Sequence, residues 1–441
     1  MHIFILELKR LTKTRIIWIS IGLAVVLSVV MAFSAISNEE YDYTGKNGNM
    51  ESITGMSAIA ANKKQMAPYE GNVTVSELQS DLKVFHKLIN KYGDNIPSDI
   101  FLKEITPRFQ RLNLIASWYS SSQSTFTALE KVQPDDIQNF YIQRNQKLQS
   151  AVESKYPHNS AVKNAVMSLN SKVKTPFTYF YGLPNNSFFI LDFLIFLLLL
   201  ICVVINTPVF SAEYQTGSDD ILRSTRNGRT KLAVSKLLAA LLIDLVLFAV
   251  SLAIFILVVD KTFGWERLLS SAQMNNVFLF LPITVGQEQA LLILAGFFTL
   301  FATACFSMFL SAKCRSSTTT LILAVAFCLF PEILYLITQG TGNFTGLLGC
   351  ILPSGGLGIN NNLFYQLGKM LFVQVGPFSI WSPYLIMAVN FCRTTSAIFI
   401  STPFRIMSDC QKNFRYLILS ETTSVLHPGR RKPFQSTTSI R

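Results

Sequence analysis

The amino-acid sequence predicts an α-helical polytopic membrane protein of about six spans, both termini cytoplasmic, with a mainly helical extracytoplasmic domain between the first two spans. Three observations predict it. Half of the 441 residues are hydrophobic and only 15% are charged, where soluble chains carry about a quarter charged residues. The apolar residues gather into runs near the length, about 20 residues, that crosses a bilayer as helix. Lysine and arginine cluster in alternate connectors between those runs, as the positive-inside bias requires.

Residues 1–15 read as a cytoplasmic interfacial helix. Ile3, Phe4, Leu6, Leu8 and Leu11 are apolar, while Lys9, Arg10, Lys13 and Arg15 supply snorkelling cations. Residues 16–36 form the first span. Its apolar core is longer than that of a signal peptide, and Ala32-Phe33-Ser34 matches a cleavage site poorly, so an uncleaved anchor is expected.

Residues 37–184 are the extracytoplasmic domain. Its lysines would hold a short loop inside, but that bias fades for loops beyond about 60 residues. Asn47–Gly48 predicts a hairpin turn. Ser76 is expected to cap a helix carrying Leu78, Leu82, Phe85, Leu88 and Ile89 and ending at Gly93. Further helices are expected over 99–117, 134–155 and 160–172. Tyr179, Phe180 and Tyr181 read as an interfacial aromatic belt before the next span.

The second span covers residues 185–209, followed by a polar cytoplasmic segment, 210–236, and the third span, 237–259. An outer connector with few basic residues, 260–289, leads to the fourth span, 290–310. The inner loop 311–317 carries Lys313 and Arg315. The fifth span, 318–338, contains Pro331, which removes a backbone donor and predicts a kink. The outer connector 339–380 is Gly-rich, with Lys369 its one basic residue. The sixth span, 381–400, is atypical, because Cys392-Arg393-Thr394-Thr395 interrupts its apolar run. Residues 401–441 form a basic, Ser/Thr-rich tail without periodicity, expected to be disordered. A natural tail and an altered reading frame near Asn390 both account for this ending.

Composition and motifs exclude several function classes. The net charge of +12 is spread along the chain without a nucleic-acid-reading motif, so topology and anionic lipid headgroups explain it better than nucleic acid. None of the seven cysteines lies between Ser37 and Pro184, and none forms a CxxC pair, so they read as apolar fillers of membrane helices. There is no GxxxxGK[ST] loop, HExxH or GxSxG, and the four histidines are scattered, so no catalytic or metal site is expected.

The informative stretch is 210–236. Asp219 and Asp220 suit a helix start, because carboxylates favour the positive N-terminal end. Arg223, Arg226 and Arg229 then recur every third residue, and Asn227–Gly228 interrupts the helix they would line. Topogenic charge explains these residues, and so does a short surface helix presenting Glu213 and the arginines to a soluble partner. The arrangement F-x-x-E-x-x-x-G, then L-R-S-T-R-x-G-R and a Lys-led apolar helix, resembles the segment between helices 2 and 3 of ABC-2 type transporter permeases. In that family the segment is the coupling helix that docks in a cleft of the ATPase. The resemblance places Phe210, Glu213, Gly217, Leu222, Arg223, Ser224, Arg226, Arg229 and Lys236 at the coupling positions. It implies a permease subunit of an ATP-driven exporter in a bacterial cytoplasmic membrane, paired with a second permease subunit and with a cytoplasmic ABC ATPase. The chain itself binds no cofactor, and ATP and Mg²⁺ belong to that ATPase.

Three acids lie in or near spans, where ionisable groups are costly and invite a functional reading. Asp244, Asp192 and Glu332 are therefore candidate pathway residues. Asp192 is expected near a wetted outer end and Asp244 deeper in the third span. The alternative reading is a membrane-anchored sensor or scaffold with an extracytoplasmic ligand-binding domain.

Overall fold

The computed structural model describes residues 2–120, 124–183, 185–218, 221, 231–338, 343–352, 354–355, 372–375, 378–389 and 392. Among them five helical stretches are long and apolar enough to cross a membrane. The protein is a polytopic helical membrane protein, and the described residues contain no closed sheet.

The N-terminal helix His2–Thr12 turns at Thr14 into the first span, Arg15–Ser37. The first span buries Ile17, Ser20, Ala24, Ser28 and Ala32, so small side chains recur at helical spacing along its packed face. They let it approach the third span closely, where the association rests on van der Waals packing. Trp18, Ile19, Leu23 and Phe33 lie on its exposed side.

The second span, Asn185–Asn206, is followed after Thr207 by an elbow helix, Pro208–Thr216. Proline fits at a first helical position because that N–H has no intrahelical partner. Helical structure thus continues past the expected boundary at 209. The third span, Lys231–Phe263, likewise starts before 237, and the fourth, Val285–Lys313, before 290. The reason is the same in each case: polar side chains cap or pair at the helix ends, so helix outlasts the apolar run. The fourth span opens on a capping box between Thr284 and Gln287. The fifth span, Ser317–Thr338, carries Pro331 inside it. Residues of the first four spans share one apolar core, and Val203 of the second packs with Ala324 and Cys328 of the fifth.

The stretch between the first and second spans folds around a mostly helical core, and several local expectations change there. The hairpin Glu40–Thr44/Met50–Thr54 does turn at Gly48, whose φ is +76°. The cap of Val75–Tyr92, however, is Thr74, which forms a capping box with Glu77, and Ser76 lies within the helix. The 99–117 region is broken into a π-helical turn, Phe101–Ile105, a 3-10 turn, Thr106–Arg108, and the helix Phe109–Tyr119. Pro107 supplies the physical cause by removing a helix donor. Residues 134–155 are helical only over Phe140–Lys155. Tyr179 and Tyr181 form no lipid-facing belt. Tyr179 pairs with Gly71 in the short sheet Gly71–Val73/Phe177–Tyr179, and both tyrosines are buried.

The largest departure concerns the connectors. Residues 272–281 enter the apolar core of this domain through Ala272, Met274, Val277, Leu279, Phe280 and Leu281. The Ser271 N–H donates to Thr178 O at 2.8 Å, and the Thr178 N–H donates to Ser271 Oγ at 2.9 Å. The hairpin Phe372–Val375/Phe378–Trp381 joins as well, with Trp381 against Phe280 and the Phe372 N–H donating to the Tyr156 hydroxyl at 3.0 Å. Trp381 is therefore a strand residue of this domain rather than the start of a sixth span. Residues 382–389 are helical, and the remainder of the expected span, apart from Cys392, lies outside the described residues.

Candidate functional site

Four elements meet at the elbow helix. Its first turn would leave backbone donors without partners, and Thr207 provides no side-chain cap. Ser311, at the end of the fourth span, takes that role from another helix. Its hydroxyl oxygen accepts the Phe210 and Ser211 N–H groups at 3.0 Å each, while its own O–H donates to Thr207 O at 2.6 Å. Ser211 Oγ lies 2.9 Å from Ser317 Oγ, and the Tyr214 hydroxyl donates to Ala312 O at 3.1 Å. The elbow is thus pinned to the connector between the fourth and fifth spans.

Its other side holds Glu213. The buried Lys236 ammonium of the third span hydrogen-bonds Glu213 Oε1, and Arg10 of the N-terminal helix donates to the same oxygen at 3.1 Å. Arg10 also bridges to Glu7 Oε2 at 2.8 Å. Lys236 sits 5.7 Å from the centre of the Phe210 ring, within cation–π range. The carboxylate of Glu213 is therefore turned into the protein. Gly217 ends the elbow in the left-handed region, φ +68°, where a Cβ would be strained.

The remaining coupling candidates Leu222, Arg223, Ser224, Arg226 and Arg229 lie outside the described residues, as do Asp219 and Asp220. Among the pathway candidates, Asp244 is fully buried, and Asn206, two residues before Pro208, donates to its Oδ2 at 2.7 Å. Asp192 is buried at 6% exposure rather than wetted, because the bundle closes over the half of the second span away from the elbow. Glu332 is half-buried on the fifth span. The three acids do not converge on one site.

The ends of the spans away from the elbow carry a second buried network that charge counting passed over. Arg267, just beyond the third span, pairs with Asp260, and both are buried. Arg267 also donates to Gly182 O and Ser187 Oγ at 3.3 Å each, while Gln289 donates to Asp260 Oδ2 at 3.1 Å.

The family description "ABC-2 family transporter protein" matches residues 1–342, which include all five of these spans and the elbow. The chain belongs to the ABC-2 transporter family. Membrane proteins of the ABC-2 family are the transmembrane component rather than the ATPase, and they generally pair with an ATPase subunit. No curated protein and no solved structure matches the chain.

Sequence reasoning singled out Phe210, Glu213, Lys236 and Asp244 but not the contacts of Ser311, Arg10 and Arg267. A serine at a helix end and an arginine among lysines carry no local signal of remote partners such as Phe210 for Ser311 or Glu213 for Arg10.

Proposed function

We propose that the chain is the permease subunit of an ATP-driven exporter in a bacterial cytoplasmic membrane, with both termini inside and the 40–183 domain outside. A cytoplasmic ABC ATPase carrying ATP and Mg²⁺ drives it through residues 210–236. A second permease subunit completes the pathway.

One observation carries this reading. The elbow Pro208–Thr216 is joined by polar side chains to the N-terminal helix, the third span and the connector between the fourth and fifth spans. A push on the segment just beyond it would reach all of these at once, which is what a transmission element requires. Arg223, Arg226 and Arg229 are the residues proposed to meet the ATPase, and Glu213 and Lys236 to hold the elbow that receives the stroke.

The test is a detergent pull-down of the tagged chain from its native cells. A P-loop ATPase should co-purify and should be lost from the Arg223→Glu/Arg226→Glu variant while the permease remains folded. Retention of the ATPase and of transport by that variant would overturn the coupling assignment. A stable cytoplasmic partner without a P-loop would favour the sensor reading instead.

A further inference from the structure

We propose that Asp244 is a proton-binding site, its carboxyl held in the acid form and paired through two hydrogen bonds with the Asn206 side-chain amide. This inference stands on the geometry of the bundle and does not need the exporter reading.

Asp244 and Asn206 are each at 0% exposure. One bond between them is in place, Asn206 Nδ2 to Asp244 Oδ2 at 2.7 Å. The two oxygens left over, Asp244 Oδ1 and Asn206 Oδ1, both lack a hydrogen-bond donor among the described residues. Two buried acceptors on two groups already joined at one edge present a specific deficit: one proton. A proton taken from the aqueous phase onto Oδ1 neutralises the carboxylate, and the new O–H donates to the Asn206 carbonyl. Both orphaned oxygens are satisfied together, in the two-bond ring that a carboxylic acid and a primary amide form.

Among the described residues the surroundings offer no other neutralising group. The Cys202 thiol of the second span lies beside the same carboxyl, but a thiol is a weak donor and does not reach Oδ1 in bonding geometry. Cys305 of the fourth span faces it as a further neutral group. The first span contributes no titratable side chain between Ile16 and Ser37. On the third span itself, Lys236 is held by Glu213 and Asp260 by Arg267. Lys236 lies eight residues before Asp244, about 12 Å along the helix. A hard cation would need six or more oxygen ligands, and no trio of His, Cys, Asp or Glu among the described residues is placed to hold a metal.

The position gives the proton a consequence. Asn206 is the last residue of the second span and Pro208 the first of the elbow. The acid–amide pair therefore ties the third span to the root of the elbow. Deprotonation leaves a carboxylate among apolar side chains, and the pair must then open or admit water.

The experiment is infrared difference spectroscopy of the purified full-length protein in lipid nanodiscs across a pH series. At neutral pH the unaltered protein should show the carbonyl stretch of a protonated carboxylic acid, and Asp244→Asn should lose it. Asn206→Leu should keep that band but shift it upward, because the acid then lacks its amide partner. Should Asp244→Asn fail to fold, the Asn206→Leu shift, followed with ¹³C-labelled aspartate, decides the matter alone. An Asp244-dependent carboxylate signal at neutral pH, or one that responds to sodium or potassium, would overturn the proposal. So would an acid band indifferent to Asn206→Leu.

Discussion

Glu213 and Lys236 show how burial changes what a charge does. Lys236 is almost wholly inside the protein, so its ammonium depends on the Glu213 carboxylate, whereas Arg10 keeps a second anion in Glu7. Removing one partner of a buried pair strands the other, at about 3–5 kcal/mol, whereas replacing both with apolar groups is often near neutral. Glu213→Gln should therefore lower the thermal unfolding temperature of the purified protein sharply. Glu213→Leu combined with Lys236→Met should recover most of that loss, and an additive double variant would show that the pair does not interact. In the domain between the first two spans, burial raises the Asp81 carboxyl to about 6, against the opposing pull of Arg111 and Arg108. A raised carboxyl favours folding in its acid form, so its contribution is full below about 4 and is lost as pH rises through about 6. Comparing thermal unfolding of the unaltered protein with Asp81→Asn should show the stability difference shifting toward the unaltered protein as pH falls across that window. A difference independent of pH, or of opposite slope, would refute it.

At the scale of elements, single side chains fasten segments that are remote in sequence. Ser311 caps a helix about a hundred residues before it, and Arg144 does the equivalent in the domain between the first two spans. The Arg144 guanidinium is fully buried, donating to Val277 O at 2.8 Å, Leu279 O at 2.6 Å and Asn145 Oδ1 at 2.9 Å, and also to Asn170 Oδ1. All these partners are neutral, and burial lowers its pKa to about 10, which leaves it charged near neutrality. Without Arg144, Val277 O and Asn170 Oδ1 lose this donor, at about 1–3 kcal/mol for each oxygen left buried and unsatisfied, whereas Leu279 O keeps the Gln273 amide and Asn145 Oδ1 the Asn170 amide. Arg144→Met should accordingly release the outer connector after the third span from the domain, seen as faster limited proteolysis within residues 264–284. Unchanged proteolysis would mean that the apolar contacts of Met274, Val277 and Phe280 hold the connector by themselves.

For the whole molecule, the domain between the first two spans draws, among the described residues, on three separated stretches: the long segment after the first span, the 264–284 connector and the hairpin Phe372–Val375/Phe378–Trp381. It is thereby joined to the ends of several spans away from the elbow, and the Asp260–Arg267 pair braces that junction. At the opposite end of the bundle, the elbow gathers the N-terminal helix and the ends of the third, fourth and fifth spans. A movement of these helices would be felt at both ends of the bundle. The charge reversals at Arg223 and Arg226 belong to this scale, since they should abolish co-purification of the ATPase without altering the fold of the membrane part.

Much of this architecture was legible in the sequence, because hydropathy and helix length are local properties. The runs near 16–36, 185–209, 237–259, 290–310 and 318–338 had to be helices in lipid, where every backbone polar group needs a partner within its own segment. Gly48 and Gly93 marked real turns for the same local reason, their positive φ. The sequence also pointed to Phe210, Glu213, Lys236 and Asp244 as residues of interest. It could not say what they touch. Only the tertiary structure turned Glu213 inward onto Lys236 and Arg10, brought Ser311 to the elbow's first turn and set Asn206 against Asp244. It likewise drew the connectors that looked like plain loops into the outer core. Such pairings depend on which helix faces meet, and that follows from packing summed over the whole bundle rather than from any stretch of the chain.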